Sequence, residues 1–132
     1  MMDRRLQEEP SADTELDLPP ESAAAHLEAI AKGINDIDVI VQGLLDRTPP
    51  LKPWQRRLRA QLQDADRHVE ILRLAISLEH DGAEIYEAAR QMKQTLEVIN
   101  VQIVGGRADG FTRSAVQVAY RNASLVTALL AP

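Results

Sequence analysis

Apolar residues along the second part of the chain recur in alternating steps of three and four. The first run is Ala23, Leu27, Ile30, Ile34, Ile37, Val41 and Leu44. That spacing places one apolar stripe on an α-helix. The helix is expected to begin near Pro20, because proline fits a first helical turn. It must stop by Thr48, since Pro49-Pro50 cannot continue it. A stiff connection, Thr48 to Pro53, leads to a second run of Leu58, Leu62, Ala65, Val69, Leu72 and Ile76. Asp81-Gly82 is the expected turn after it. The third run is Ile85, Ala89, Met92, Leu96, Ile99 and Ile103, with Gly105-Gly106 expected to end it through positive φ. Within it, Ile99, Val101 and Ile103 alternate with Asn100 and Gln102, a strand-like period without an evident partner strand. The helix is the preferred reading. The fourth run is Phe111, Ala115, Val118, Asn122, Leu125 and Leu129, with Asp109 as a possible cap before it.

Four amphipathic helices joined by short loops imply an all-α, antiparallel four-helix bundle over residues 21–132. Residues 1–20 have almost no apolar periodicity and are expected to form a disordered acidic tail, with Leu16-Asp17-Leu18 as a possible docking motif.

Two helices carry more apolar surface than one seam needs. Val39 and Ile40 lie outside the first stripe of helix 1. Helix 4 has a second stripe, Val116, Ala119, Ala123, Val126 and Leu130, and its only charges are Arg113 and Arg121. An arc that wide is buried either deep in its own bundle or by another chain. The second option is favoured, so Val39, Ile40, Val116, Ala119, Ala123, Val126 and Leu130 are the expected interaction residues. The partner is expected to be a protein, either another copy of this chain or a different helical protein.

Composition narrows the chemistry. The 132 residues include no Cys, which excludes disulfides and thiolate-held zinc and fits a reducing, cytoplasmic setting. No apolar run reaches the roughly 18 residues of a membrane span, and residues 1–18 show no secretory apolar core. The formal net charge is −5, and residues 1–21 alone carry seven acids against two bases. The remaining body is formally neutral, which argues against a nucleic-acid partner. Arg56, Arg57 and Arg59 beside Trp54 form its one basic cluster. Neither Ala65 nor Ser77, three residues before His68 and His80, gives the Glu-x-x-His pair of a di-iron bundle. No cofactor, metal or catalytic residue is therefore expected.

Four family patterns touch the helices. Arg73 and His80, with six residues between them, resemble the Arg-x(4–6)-His motif of the HEPN ribonuclease superfamily, which is also helical. The resemblance implies RNA cleavage by this pair at a dimer interface, and makes a ribonuclease or other nucleic-acid-binding module the alternative function. Leu74 departs from that motif, where the family has a polar residue. Glu84, Glu87, Glu97 and Asn100 resemble the magnesium-holding pairs of all-α nucleoside triphosphate pyrophosphohydrolases, with Asn100 in place of the last acid. The stretch Ile34 to Asp38 looks like the first helix of helical chorismate mutases, but Ala31 stands where that family needs an arginine. Gly105-Gly106 with Arg121 resembles the last helix of PduO-type cobalamin adenosyltransferases, whose further Arg and Glu are Asn122 and Ser124 here. The loop from Gly105 to Gly110 could hold an anion at the following helix N-terminus, although a helix stop and restart needs the same glycines.

Overall fold

The computed structural model describes residues 20–132, with side chains from Ala23 onward. The expected tail at 1–20 therefore lies almost wholly outside the described residues. The chain forms α1 (Pro20–Arg47), α2 (Pro53–Ser77), α3 (Gly82–Val104) and α4 (Gly110–Leu130). Neighbours around the bundle run α1–α2–α3–α4 and back to α1, and no diagonal pair of helices is in backbone contact. This is an antiparallel four-helix bundle, as the periodicity predicts. The strand-like stretch at 99–103 is helical and belongs to α3.

Local chemistry explains the boundaries. Pro53 occupies the first position of α2, and the Gln55 side chain accepts the Lys52 N–H at 2.9 Å. Asp81 caps α3 by accepting from the Glu84 N–H, and Asp109 caps α4 through the Thr112 N–H. Two termini differ from expectation. Helix α2 ends at Ser77, before Asp81-Gly82, and its left-handed residue is Glu79 (φ 55°). The His80 N–H then returns to the Ala75 carbonyl, so that six-residue closure satisfies the helix end without a glycine. At the end of α3, Gly105 has φ −96°, and no described glycine has positive φ.

Arg59 closes the first loop. Its guanidinium donates to the Leu45 carbonyl at 2.7 Å and the Thr48 carbonyl at 2.8 Å. These are acceptors left over at the C-terminal end of α1, where a cation also suits the helix dipole. Arg59→Ala is expected to cost about 1–2 kcal/mol in urea unfolding, because charged donors to carbonyls are worth somewhat more than neutral ones.

The core is aliphatic. Ile37, Val41, Leu62, Leu72, Met92, Leu96 and Ile99 are all essentially inaccessible. For α1, α2 and α3 the buried positions follow the predicted stripes, apart from the ends, where Leu27 remains 67% exposed. Helix α4 reverses the prediction. Thr112, Val116, Ala119, Ala123, Val126 and Thr127 face inward, while Phe111, Val118 and Leu125 face water. The reason is close packing against α1. Gly33 sits so near α4 that an added Cβ would lie 2.5 Å from Val126 Cγ2 and 4.0 Å from the Asn122 carbonyl. Small residues suit that approach, and the inward stripe supplies Ala119 and Ala123. Thr127 is buried without cost because its hydroxyl donates to the Ala123 carbonyl at 2.7 Å.

Candidate interaction surfaces

The reversal corrects the expected interaction set. Val116, Ala119, Ala123 and Val126 are buried within their own chain and offer nothing to a partner. Leu130 is half-buried against the core, and so is Ile40. Val39 remains exposed at 62%. Of the residues assigned to the seam of α4, Phe111, Val118 and Leu125 take the outward place, while Ala115 and Leu129 stay half-buried against the core. Phe111, Val118 and Leu125 follow one another at seven-residue intervals, so they form a line along α4.

The flank carrying that line follows from its neighbours. Arg113, Ser114 and Gln117 share a cleft with Asn100 and Val104 of α3, so the α3 side of α4 is polar. Phe111 lies on the other side, with the Arg47 guanidinium of α1 stacked 4.2 Å from its ring centroid. On α1, Asp38 and Gln42 face α2 through Arg73 and Asp66. Ile40 precedes Arg47 by seven residues, and Gly43 lies between them, so these share the α4 side. Val39 is four residues from Gly43 and continues the patch outward. At the far end, the His26 ring meets the Leu129 carbonyl at 2.8 Å and ties the helices together.

One two-helix face thus presents Val39, Ile40, Gly43, Phe111, Val118 and Leu125. Lys32 pairs with Asp36 at 2.7 Å and Arg47 covers Phe111, while Arg121 and Asp46 are exposed charges at the edges of the patch. A Cβ at Gly43 would meet nothing within 4 Å. The bundle itself therefore has no need of glycine there, although glycine weakens a helix interior. Helix α2 also exposes Ile71, Leu74 and Leu78, but that patch is confined to one helix and bordered by Arg67 and Glu70.

The remaining sites are less built. The α1–α2 seam is the sparsest in the bundle. It leaves an apolar groove of about 470 Å³ beside Ile30, Ile34, Ile76 and Ile85. The one charge there, Arg73, is already held by Asp38 at 2.9 Å. Arg73 and His80 do not share a helix, because His80 lies beyond the end of α2 and approaches Glu84 at 3.7 Å. Glu87 is engaged by Gln91 and Arg90, which hold its carboxyl below the ordinary value. Among the described residues, no three His, Asp or Glu side chains converge as metal ligands. No described helix is long and apolar enough to cross a membrane. In the loop before α4, the Asp109 carboxylate already occupies the helix N-terminus. Hydrogen bonding from Thr112 keeps its pKa below the usual aspartate value, with a smaller contribution from Arg47. An external anion would have to displace it.

These features define the class, an up-and-down four-helix bundle that exposes large apolar side chains on each of its helices. No protein family, characterised protein or solved structure matches the chain.

Proposed function

We propose that this chain is a small non-enzymatic interaction protein that self-associates through the face shared by α1 and α4. The observation that carries the reading is the exposed line of Phe111, Val118 and Leu125 beside Val39 and Ile40. Several large apolar side chains exposed on neighbouring faces of two helices mark a candidate contact surface. Fully burying side chains of this kind contributes about 1.5–3 kcal/mol each. Five of them, partly covered already, are of the right order to offset the cost of association. The glycine at position 43 lets a second helix approach the backbone of α1 closely.

Light scattering behind size-exclusion chromatography tests the reading on the full chain. The expected mass is that of a dimer at micromolar concentration. At high salt, Val118→Asp with Leu125→Asp should reduce it to a monomer that keeps the helical circular dichroism and a cooperative melting transition, with the stabilisation from association lost. A full chain that stays monomeric across the accessible concentrations overturns self-association by this face.

A further inference from the structure

The formally neutral body conceals a charge separation that only the fold creates. One end of the bundle gathers the α1–α2 loop, the start of α2, the α3–α4 loop and the start of α4. It holds Arg47, Lys52, Arg56, Arg57, Arg59, Arg107 and Arg113 against Asp46 and Asp109, seven bases to two acids. At the other end, residues 23–30, 73–87 and 122–132 hold five acids (Glu28, Glu79, Asp81, Glu84, Glu87) against Arg73. Residues 1–21, with their own net charge of −5, enter at this acidic end.

The basic end contains a small pocket of about 70 Å³. Leu58, Ile99 and Ile103 form its floor, Trp54 one wall, and Arg57 and Arg107 its rim. Its volume is roughly half that of a cavity that takes a benzene ring, the scale of one aliphatic side chain. Of the other cations at this end, Arg47 stacks on Phe111 and Lys52 lies outside the pocket lining, and the remaining three have internal work. Arg59 holds two carbonyls, Arg56 donates to the Leu51 carbonyl, and Arg113 to that of Ala108. Arg57 and Arg107 make no ion pair or side-chain hydrogen bond to described residues. An apolar slot between two uncommitted guanidiniums fits a leucine flanked by carboxylates.

The chain contains such a segment in Glu15-Leu16-Asp17-Leu18. It cannot reach the pocket of its own copy. Leu16 is four residues from Pro20, a span of about 14 Å when extended. Helix α1, at 28 residues, carries the chain about 40 Å further before the basic end begins. Like charge also disfavours docking of the segment on its own acidic end. We propose that residues 15–18 of one copy dock in the Trp54–Arg57–Arg107 pocket of another, joining copies head to tail through a contact separate from the α1/α4 face.

Trp54 is the single tryptophan and reports directly on the pocket. The test titrates a synthetic peptide of residues 8–19, which lacks Trp and Tyr, into the full-length Leu16→Ala/Leu18→Ala protein, whose own segment no longer competes. The expected result is a saturable blue shift of Trp54 emission. Its affinity should fall at least about tenfold between low salt and 0.3 M salt, because screening removes exposed charge attraction. Arg57→Glu with Arg107→Glu should abolish the shift, whereas an equal charge change at Arg90 and Arg121 should preserve it. The Val118→Asp/Leu125→Asp protein should still respond, which separates this contact from the apolar face. In sedimentation velocity, wild-type protein should form larger species at low salt that the Leu16→Ala/Leu18→Ala protein lacks. Absence of a saturable Trp54 response overturns the proposal. So does a response to a single-stranded oligonucleotide but not to the peptide, which would assign the basic end to nucleic acid.

Discussion

Val126→Asp should unfold the protein, whereas Leu125→Asp, one residue away, should leave the bundle intact. Val126 is wholly buried between α4 and Gly33 of α1, and Leu125 is 51% exposed. A carboxylate at position 126 is cut off from water, because the site is fully buried in an aliphatic core. Placing it there costs several kcal/mol, whether the group stays charged or takes up a proton. Domains of this size have only about 5–15 kcal/mol of stability in total. Exposed substitutions away from caps and core usually shift stability by about 0.5 kcal/mol or less. Far-ultraviolet circular dichroism with urea titration measures both. A folded Val126→Asp protein with an unfolded Leu125→Asp protein would show that α4 faces inward along its other stripe.

Alanine at Gly33 and alanine at Gly43 should act in opposite directions. Both positions lie inside α1, where alanine is favoured over glycine by up to about 1 kcal/mol. At Gly43 the added methyl meets open space, so the monomer should gain about 0.5–1 kcal/mol. At Gly33 it meets Val126 Cγ2 at 2.5 Å. Valine in a helix is nearly confined to one rotamer, and Val126 is fully buried. Overpacking of this kind costs about 1–3 kcal/mol, so Gly33→Ala should be destabilising despite its better helix propensity. Val126→Ala should relieve the clash. The double variant should be more stable than the sum of the single effects requires, by about 1 kcal/mol or more. Strict additivity in denaturant titrations would mean that α1 and α4 are further apart than described.

Much of the architecture is legible from residue spacing, and the exceptions have specific causes. The stripes of α1, α2 and α3 appear in the core because only one face of each helix is apolar enough to serve. In α4 two stripes compete, and the structure buries the second where the spacing favours the first. A signal was available: Asn122 interrupts the first stripe, while Arg113, Gln117, Arg121 and Ser124 cluster opposite the second. Weighing where the polar residues point, beside where the apolar ones do, selects Val116 and Val126 for burial. The end of α2 was less accessible, since a left-handed Glu79 carries no marker comparable to glycine.

The candidate surfaces divide along the same line. Val39 appears in the sequence as an apolar residue off the seam, and the structure leaves it exposed. Phe111, Val118 and Leu125 became surface residues only because α4 buries its other stripe, with Val126 packed on Gly33.

By itself, the sequence determined four helices, their approximate limits and an antiparallel order, because periodicity, prolines and short loops are local properties of the chain. Tertiary structure decided how closely α1 and α4 pack, and so fixed as core the stripe of α4 that its polar positions only favour. It alone also turned a neutral body into one with a basic end and an acidic end. Charge along a chain is a sum over neighbours in sequence, whereas the field at a bundle end is a sum over helix ends that antiparallel packing brings together.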